Sequence, residues 1–234
     1  LFLTKNLLWL MSVYLVSNTF INYFFYLLTK FKFWPNKKED EKTLNYGKHL
    51  SLIEVVSVAG SYLDKILLFA FVGPAQLAIY SFASIFPEQI SSIAQNINDL
   101  AFPKLALKSP EEIKANIMKK IWRIALLAAA VVILYIMIAP YFYNIFFPQY
   151  LSSVFYSQIL ILSLLFLPTS LLGTVFEAKM MKKELYLLKT AVSFARIILF
   201  LVLIPLYGIW GVIIAGIGAS AFSSALTLFL FRKI

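Results

Sequence analysis

Two adjacent ionisable residues, Asp64 and Lys65, lie in the middle of a long apolar segment that runs from about Leu50 to Val72. A charged side chain within a membrane span costs roughly 2.5–3.5 kcal/mol on insertion scales, and it usually faces a protein interior or a wet cavity. Lys65 could therefore attract an anionic group, and Asp64 could take part in coupling to a cation. The alternative is that both residues pair with charges on neighbouring helices and fix the packing.

The apolar segment that follows is unusually polar for a helix that faces lipid. Glu88 and Gln95 lie within it, and Pro87 is expected to kink it because proline removes one backbone hydrogen bond. A bent helix with carboxylates and amides predicts a cavity wall, and we assign Glu88 and Gln95 to that wall. Asp99 is instead interpreted as lying at the membrane interface.

Glu54 precedes Asp64 by ten residues, which places the two side chains about 80° apart around a helix. Glu54 could line an adjacent part of the same wet surface. The favoured interpretation is that it lies close enough to the cytoplasmic end of the helix to reach the lipid headgroups.

Arg196 lies midway along a later apolar segment. Its guanidinium remains charged and binds phosphate in a two-pronged geometry. It is therefore the best candidate for contact with an anionic substrate. The alternative is an ion pair with one of the acids on the second or third span.

Other chemistry is not indicated. The chain has no cysteine and a single histidine, His49. It has no Gly-rich phosphate loop, no nucleophile elbow and no metal-ligand pair at helical spacing. We therefore expect no cofactor, no metal and no enzymatic activity.

The elements that position these residues follow from composition. The chain is 61% hydrophobic with a mean hydropathy of +0.84, whereas a soluble domain is about half apolar. Apolar segments of about 20 residues are long enough to cross a bilayer. The sequence predicts an all-α bundle of about seven transmembrane helices, over 3–29, 46–72, 76–102, 120–146, 152–176, 186–206 and 210–231. The sequence Ser109-Pro110-Glu111-Glu112 predicts a helix start, with serine as the cap.

Charge predicts the orientation. Eighteen of the 21 Lys and Arg residues lie in or beside alternate connections and at the C-terminus, and the turns at 73–75, 147–150 and 207–208 have none. By the positive-inside rule, the basic connections and the C-terminus are cytoplasmic. The net charge of +10 is thus explained by topology, and no nucleic-acid partner is expected.

Three motifs carry a family resemblance: Tyr62-Leu63-Asp64-Lys65, then Gly73-Pro74-Ala75-Gln76-Leu77-Ala78-Ile79-Tyr80, then Phe102-Pro103-Lys104. In that order they resemble polysaccharide biosynthesis proteins of the oligosaccharide flippase type, in the multidrug/oligosaccharidyl-lipid/polysaccharide exporter superfamily. Looser similarity continues through Phe147-Pro148-Gln149-Tyr150 and Tyr207-Gly208 to the end. The resemblance implies two six-helix lobes around a cavity that opens alternately to each side of the membrane.

The resemblance also implies a domain organisation and partners. Residues 1–29 would be the last helix of an N-terminal lobe, 30–45 the cytoplasmic inter-lobe loop, and 46–234 a six-helix C-terminal lobe. The sequence lacks an initiator Met, so a missing N-terminal lobe is an expected partner, together with membrane lipids. The implied substrate is an undecaprenyl-diphosphate-linked oligosaccharide for surface polysaccharide such as lipopolysaccharide O-antigen. The implied location is the inner (plasma) membrane.

The resemblance implies roles for the candidate residues. Arg196, Lys65 and Gln95 would contact the substrate, and Asp64, Glu88 and Glu54 would line the cavity or couple transport to an ion. Alternatives are a cation-coupled multidrug antiporter of the same superfamily, in which the acids would matter most, and a non-transporting membrane subunit. A lipid-linked glycosyl polymerase is disfavoured because the outer turns have only two to four residues.

Overall fold

The computed structural model describes residues 7–32 and 41–232, and these residues are almost entirely helical, with no strand among them. The α-helices in the described part are α1 (Leu7–Lys32), α2 (Glu41–Val72), α3 (Pro74–Leu107), α4 (Pro110–Phe146), α5 (Ser153–Leu160), α6 (Ser170–Ala178), α7 (Lys182–Tyr207) and α8 (Ile209–Arg232). Two 3-10 segments, Pro148–Tyr150 and Ile161–Thr169, flank α5. The predicted all-α helix bundle is confirmed.

The chain divides into two compact units, Leu1–Lys48 and His49–Ile234. The first contains α1, whose described side chains are nearly all exposed. α1 runs through Lys32 and α2 begins at Glu41, so both helices extend into the predicted 30–45 loop. The middle of that loop, 33–40, lies outside the described residues. The division into two lobes stays a prediction.

Four helical stretches are long and apolar enough to cross a membrane: Glu111–Phe146, Ser153–Ala178, Lys182–Tyr207 and Ile209–Arg232. Their outward faces are apolar, as on α4, where Leu126 and Leu127 are 66% and 67% exposed. Apolar surface on this scale is suited to lipid. The first three predicted spans coincide with helices α1 to α3 but are not among these four, so the count of seven stays a prediction.

The fifth predicted span, 152–176, is a broken helix. Between α5 and α6 the chain forms a nine-residue 3-10 segment, Ile161–Thr169, which contains Pro168. Proline cannot donate a backbone hydrogen bond. The hydroxyls of Ser163 and Thr169 donate to the carbonyls three residues earlier, both at 2.7 Å. Together these residues explain a locally tighter winding, which we did not predict from hydropathy.

The start of α4 is the one predicted from the sequence. Ser109 has extended backbone geometry, and its hydroxyl accepts a hydrogen bond from the amide of Glu112 at 3.2 Å. Pro110 is the first helical residue, where its missing N–H has no intrahelical role. The acidic residues Glu111 and Glu112 in the first turn complement the positive end of the helix dipole. The predicted cap is confirmed.

An apolar core joins α2, α3, α7 and α8, with Leu68, Tyr80, Ile204 and Ile213 among its buried members. A second, smaller core packs α4 against the 3-10 segment. Since both cores involve residues that are separated widely in the chain, they fix the second unit as one bundle.

Polar contacts tie α3 and α4 to the broken helix at the end of the bundle near the Phe147–Tyr150 turn. The Tyr143 hydroxyl donates to the Phe82 carbonyl at 2.7 Å, and the Ser153 hydroxyl donates to the Ile79 carbonyl at 2.9 Å. The rings of Phe82 and Tyr150 stack with centroids 3.6 Å apart. These contacts fix the position of α3 relative to α4 and α5.

At the opposite end, Lys179 connects the link between α6 and α7 to the end of α3. Its ammonium donates to the Ala106 carbonyl at 3.1 Å and also to the Lys108 carbonyl. These carbonyls lie at the C-terminus of α3, where the helix dipole favours a cation. We call this end of the bundle the basic end.

α7 and α8 form a tight antiparallel hairpin around Gly208 and Gly211. Gly208 has a φ of +57°, which favours glycine. A Cβ on Gly211 would collide with the Leu203 carbonyl and lie 2.8 Å from the Ile204 amide nitrogen. The hairpin therefore requires glycine at position 211.

We expect Gly211→Ala to destabilise the protein by about 1–3 kcal/mol, because the methyl group would overlap backbone that cannot move freely. The measurement is the thermal unfolding midpoint of the detergent-purified variant. Gly216→Ala is the matched control on the same helix, since a Cβ there meets no atom within 4 Å. Equal midpoints for the two variants would contradict the close packing of the hairpin.

Candidate functional site

Two adjoining cavities in the second unit form one polar groove. We name the first, of about 470 Å³, the charged cavity because Asp64, Lys65, Glu88 and Arg196 line it. We name the second, of about 510 Å³, the hydroxyl cavity because serine and threonine dominate its lining. The five residues that line both cavities are Ser91, Gln95, Ser163, Arg196 and Ser220.

The charged cavity contains two polar pairs between α2 and α3. Asp64 is only 7% exposed. One of its carboxylate oxygens accepts a 2.6 Å hydrogen bond from the Tyr80 hydroxyl, and the other accepts the Lys65 amide at 2.7 Å. The Lys65 ammonium lies 3.4 Å from a Glu88 carboxylate oxygen. The alternative that these residues pair with charges on a neighbouring helix is thus seen for Lys65, whereas Asp64 bonds to the uncharged hydroxyl of Tyr80.

The same side chains also line the cavity, so their pairing with each other leaves them accessible to a ligand. The side chains of Lys65 and Glu88 are 35% and 54% exposed, respectively. An ion pair with this much exposure is weak and rearranges readily. The structure thus brings together Asp64, Lys65 and Glu88, which we had selected from sequence on separate helices.

The turn between α2 and α3 makes these pairs possible. Gly73 has a φ of +100°, which strongly favours glycine, and Pro74 begins α3. Because the turn is this short, α3 folds back along α2, and residues after the turn face those before it. Tyr80 and Glu88 thereby reach Asp64 and Lys65.

α3 presents a stripe of polar residues to the groove. The stripe consists of Ser84, Glu88, Ser91, Gln95 and Asn98, at successive intervals of four, three, four and three residues. This spacing keeps all five on one face of the helix over a rise of about 21 Å. The predicted placement of Glu88 and Gln95 on a cavity wall agrees with this geometry. Pro87 lies inside the helix, and the expected kink stays a prediction.

α8 presents a second polar stripe, which we did not identify from the sequence. Gly216, Ser220, Ser223 and Thr227 follow one another at intervals of four, three and four residues, and all line the groove. The recurrence of small hydroxyl residues at helical spacing in an apolar helix was the available signal. Serine and threonine lower the mean hydropathy of a segment only slightly, so hydropathy alone predicts an ordinary transmembrane helix here.

The broken helix supplies a third wall, also missed. Ser163 comes from its 3-10 segment, and Ser170 and Thr174 come from α6. The Asn98 amide of α3 donates to the Ser170 hydroxyl at 2.6 Å, which joins the first and third walls. The groove is therefore built from elements that are distant in sequence.

Arg196 on α7 lies where the two cavities meet. It lines both of them and also a smaller cavity of about 160 Å³. The alternative of an ion pair with an acid is not seen: among the described side chains, no carboxylate lies within 4.0 Å of Arg196. Among the described side chains, its charge is therefore not neutralised by an ion pair.

A second ion pair marks the groove near the basic end. The Lys189 ammonium lies 3.1 Å from a Glu177 carboxylate oxygen, and Glu177 lines the hydroxyl cavity. Lys189 is seven residues before Arg196, or about 10 Å along α7. Among the described residues that line the two cavities, the cationic ones are Arg196 and Lys65.

Two predicted acids are not placed. The side chains of Glu54 and Asp99 lie outside the described residues, so their assignments stay predictions. Within the described part of the chain, no group of three or more metal-ligating side chains occurs. The arrangement that the structure does describe can bind a polar ligand through hydrogen bonds and one available cation.

We expect Tyr80→Phe to lower stability by about 1–3 kcal/mol, because the buried carboxylate of Asp64 would lose its hydroxyl partner. The thermal unfolding midpoint in detergent measures this loss. Tyr141→Phe is the control, since the Tyr141 side chain is exposed on α4. An unchanged midpoint for Tyr80→Phe would show that Asp64 does not depend on this hydrogen bond.

Comparison with known proteins identifies a family. The sequence profile of the family described as polysaccharide biosynthesis protein matches residues 3–155. The matched region includes Asp64, Lys65, Glu88 and Gln95 and ends before Arg196. No curated protein and no solved structure matches the chain. Since the profile matches more than half of the 234 residues, the chain belongs to the polysaccharide biosynthesis protein family and is a membrane protein of that family.

Proposed function

We propose that this chain forms part of a flippase that moves an undecaprenyl-diphosphate-linked oligosaccharide across the membrane for surface polysaccharide synthesis. The observation that carries the proposal is the polar groove with an available arginine in the middle of an apolar helix bundle. A diphosphate-linked sugar has an anionic group and a polar headgroup. Moving either of them through the hydrocarbon layer without polar partners costs free energy.

Arg196 is the proposed contact of the diphosphate. A guanidinium donates paired hydrogen bonds to phosphate oxygens, and it acts more strongly in a site with few water molecules than in bulk water. Lys65 is the proposed second cation. It shares its charge with Glu88 at 3.4 Å, so its contribution is smaller than that of Arg196. Gln95 lines both cavities and is the proposed contact of the substrate where they meet.

Asp64 and Glu88 are the proposed groups for ion coupling. Both line the charged cavity, and Asp64 is held in place by Tyr80. A cation that bound to these carboxylates would compete with Lys65 for Glu88. Binding of the coupling ion and of the anionic substrate would thereby act on the same cluster of charges. Glu54 is a proposed further member, and its assignment rests on sequence alone.

The proposed orientation places the basic end of the bundle in the cytoplasm, with the C-terminus on the same side and the plasma membrane as the location. It follows from the lysine-rich links at 104–123 and 179–189, compared with turns that lack lysine and arginine. The proposed partner is an N-terminal lobe, joined through the 30–45 segment, with the second unit as the C-terminal lobe. Translocation needs no covalent chemistry, so we propose no enzymatic activity.

We expect Arg196→Ala to reduce translocation to about a tenth of the parent level or less, since a hydrogen bond to a charged group contributes about 1.5–3 kcal/mol. The complete parent gene is expressed in a bacterium that lacks its surface polysaccharide flippase, and lipid-linked repeat units are counted in the outer leaflet. Lys65→Ala is expected to reduce the count as well. Arg196→Lys should retain part of the activity, because it keeps the charge but loses the paired donors.

Arg123→Ala is the matched control, because Arg123 is exposed on α4 near the basic end. The amount of each variant in the membrane is measured, so that a loss of insertion is not mistaken for a loss of translocation. Normal translocation by Arg196→Ala would remove the diphosphate assignment. If the parent fails to restore the repeat units but exports a cationic dye, the protein is a drug antiporter of the same superfamily.

A further inference from the structure

Most of the hydroxyl groups that line the hydroxyl cavity already donate their hydrogen to the backbone. The hydroxyls of six of its lining residues donate to backbone carbonyls three or four residues earlier, at 2.6–3.4 Å: Ser163, Thr169, Ser170, Thr174, Ser220 and Thr227. A hydroxyl has one hydrogen to donate and two lone pairs. Because each hydrogen is already used, these side chains offer mainly acceptors to a ligand.

We propose that the hydroxyl cavity is a subsite for an uncharged sugar unit, which it recognises through the sugar's own hydroxyl and amide N–H donors. This inference rests on the proposed function and deepens it, because it separates the substrate into an anionic group at Arg196 and a neutral sugar beside it. The five residues shared by the cavities place the two parts of such a substrate next to each other.

The same wall disfavours other ligands. A carboxylate is an acceptor only, so an acidic sugar at the end of the cavity away from Arg196 would face the lone pairs of the hydroxyls and the carboxylate of Glu177. A cation would meet Arg196 at one margin of the cavity, and at the other the Glu177 carboxylate is already paired with the Lys189 ammonium at 3.1 Å. An apolar ligand would strip water from the hydroxyl oxygens without replacing its hydrogen bonds. A neutral ligand with hydrogen-bond donors avoids the unfavourable contacts of the acidic, the cationic and the apolar ligand.

The test measures binding of two soluble trisaccharides to the full protein in lipid nanodiscs by ligand-observed NMR. One trisaccharide consists of neutral hexose and N-acetylhexosamine units, and the other has one hexose oxidised to a uronic acid. Because Arg196 lines the same cavity and would attract a free carboxylate, the two compounds are compared in the Arg196→Ala protein, where we expect the neutral compound to bind and the acidic one to bind several-fold more weakly. Ser223→Ala and Thr174→Val are expected to weaken binding of the neutral compound about two- to tenfold, as loss of one hydrogen bond does.

Ser224→Ala is the matched control, because Ser224 neighbours Ser223 on α8 but is not among the residues that line the hydroxyl cavity. Equal effects of the Ser223 and Ser224 substitutions would overturn the proposal. So would an absence of binding by the neutral trisaccharide, or tighter binding of the acidic one.

A parallel measurement with sugar-free undecaprenyl diphosphate separates this inference from the proposed function. Binding of that lipid should depend on Arg196 and should not change with Ser223→Ala. If the lipid binds independently of Arg196 while the trisaccharide depends on Ser223, the diphosphate assignment fails and the sugar subsite stands. If binding of the lipid depends on Arg196 and binding of the trisaccharide is unchanged by Ser223→Ala, the diphosphate assignment stands and the sugar subsite fails.

Discussion

The cost of an unpaired polar group in hydrocarbon governs the arrangement of this bundle. Charges in apolar helices must turn towards one another or towards a wet space, and the second unit does both in one groove. Asp64 is satisfied by Tyr80, and Lys65 by Glu88. The outward face of α4 consequently retains large apolar side chains. Polar side chains thus lie in the groove, and the surface that faces lipid remains apolar.

The broken fifth span shows how one wall of the groove obtains its shape. A 3-10 segment rises about 2.0 Å per residue, compared with 1.5 Å in an α-helix, so Ile161–Thr169 reaches further along the bundle than a regular helix of equal length. Its hydroxyls donate to their own backbone, Ser163 to the Leu160 carbonyl and Thr169 to the Phe166 carbonyl. The same residues then line the hydroxyl cavity. One local deviation from regular winding therefore supplies both the shape and the chemistry of that wall.

Much of the charged cavity could be predicted from sequence, because ionisable residues stand out in an apolar segment. Asp64, Lys65, Glu88 and Arg196 were selected individually, and they do line one cavity. The sequence left pairing open as an alternative, but it did not identify the partners Tyr80 and Glu88, since these depend on which helix faces which. The hydroxyl cavity escaped prediction for a different reason. Serine and threonine can satisfy their own hydrogen bonds within a helix, so they leave almost no mark on hydropathy.

The helix bundle and the start of α4 at Ser109 were predictable because they follow from local patterns of apolar and capping residues. The break at Ile161–Thr169 was not, although Pro168 lies within it. Proline occurs inside α3 at Pro87 and inside α4 at Pro140 without ending either helix. The effect of a proline therefore depends on nearby hydroxyls and on packing, which a single sequence does not show.

A translocating protein must release what it binds, and the charges of the groove suit that requirement. Under the proposed function, a diphosphate would meet one available guanidinium at Arg196 and one ammonium already shared with Glu88. Two uncompensated cations in a low-dielectric site would hold the anion far more strongly, and release would then be slow. Neutral hydrogen bonds contribute only about 0.5–1.5 kcal/mol each. Spreading the headgroup over many such contacts allows recognition of the substrate without trapping it midway across the membrane.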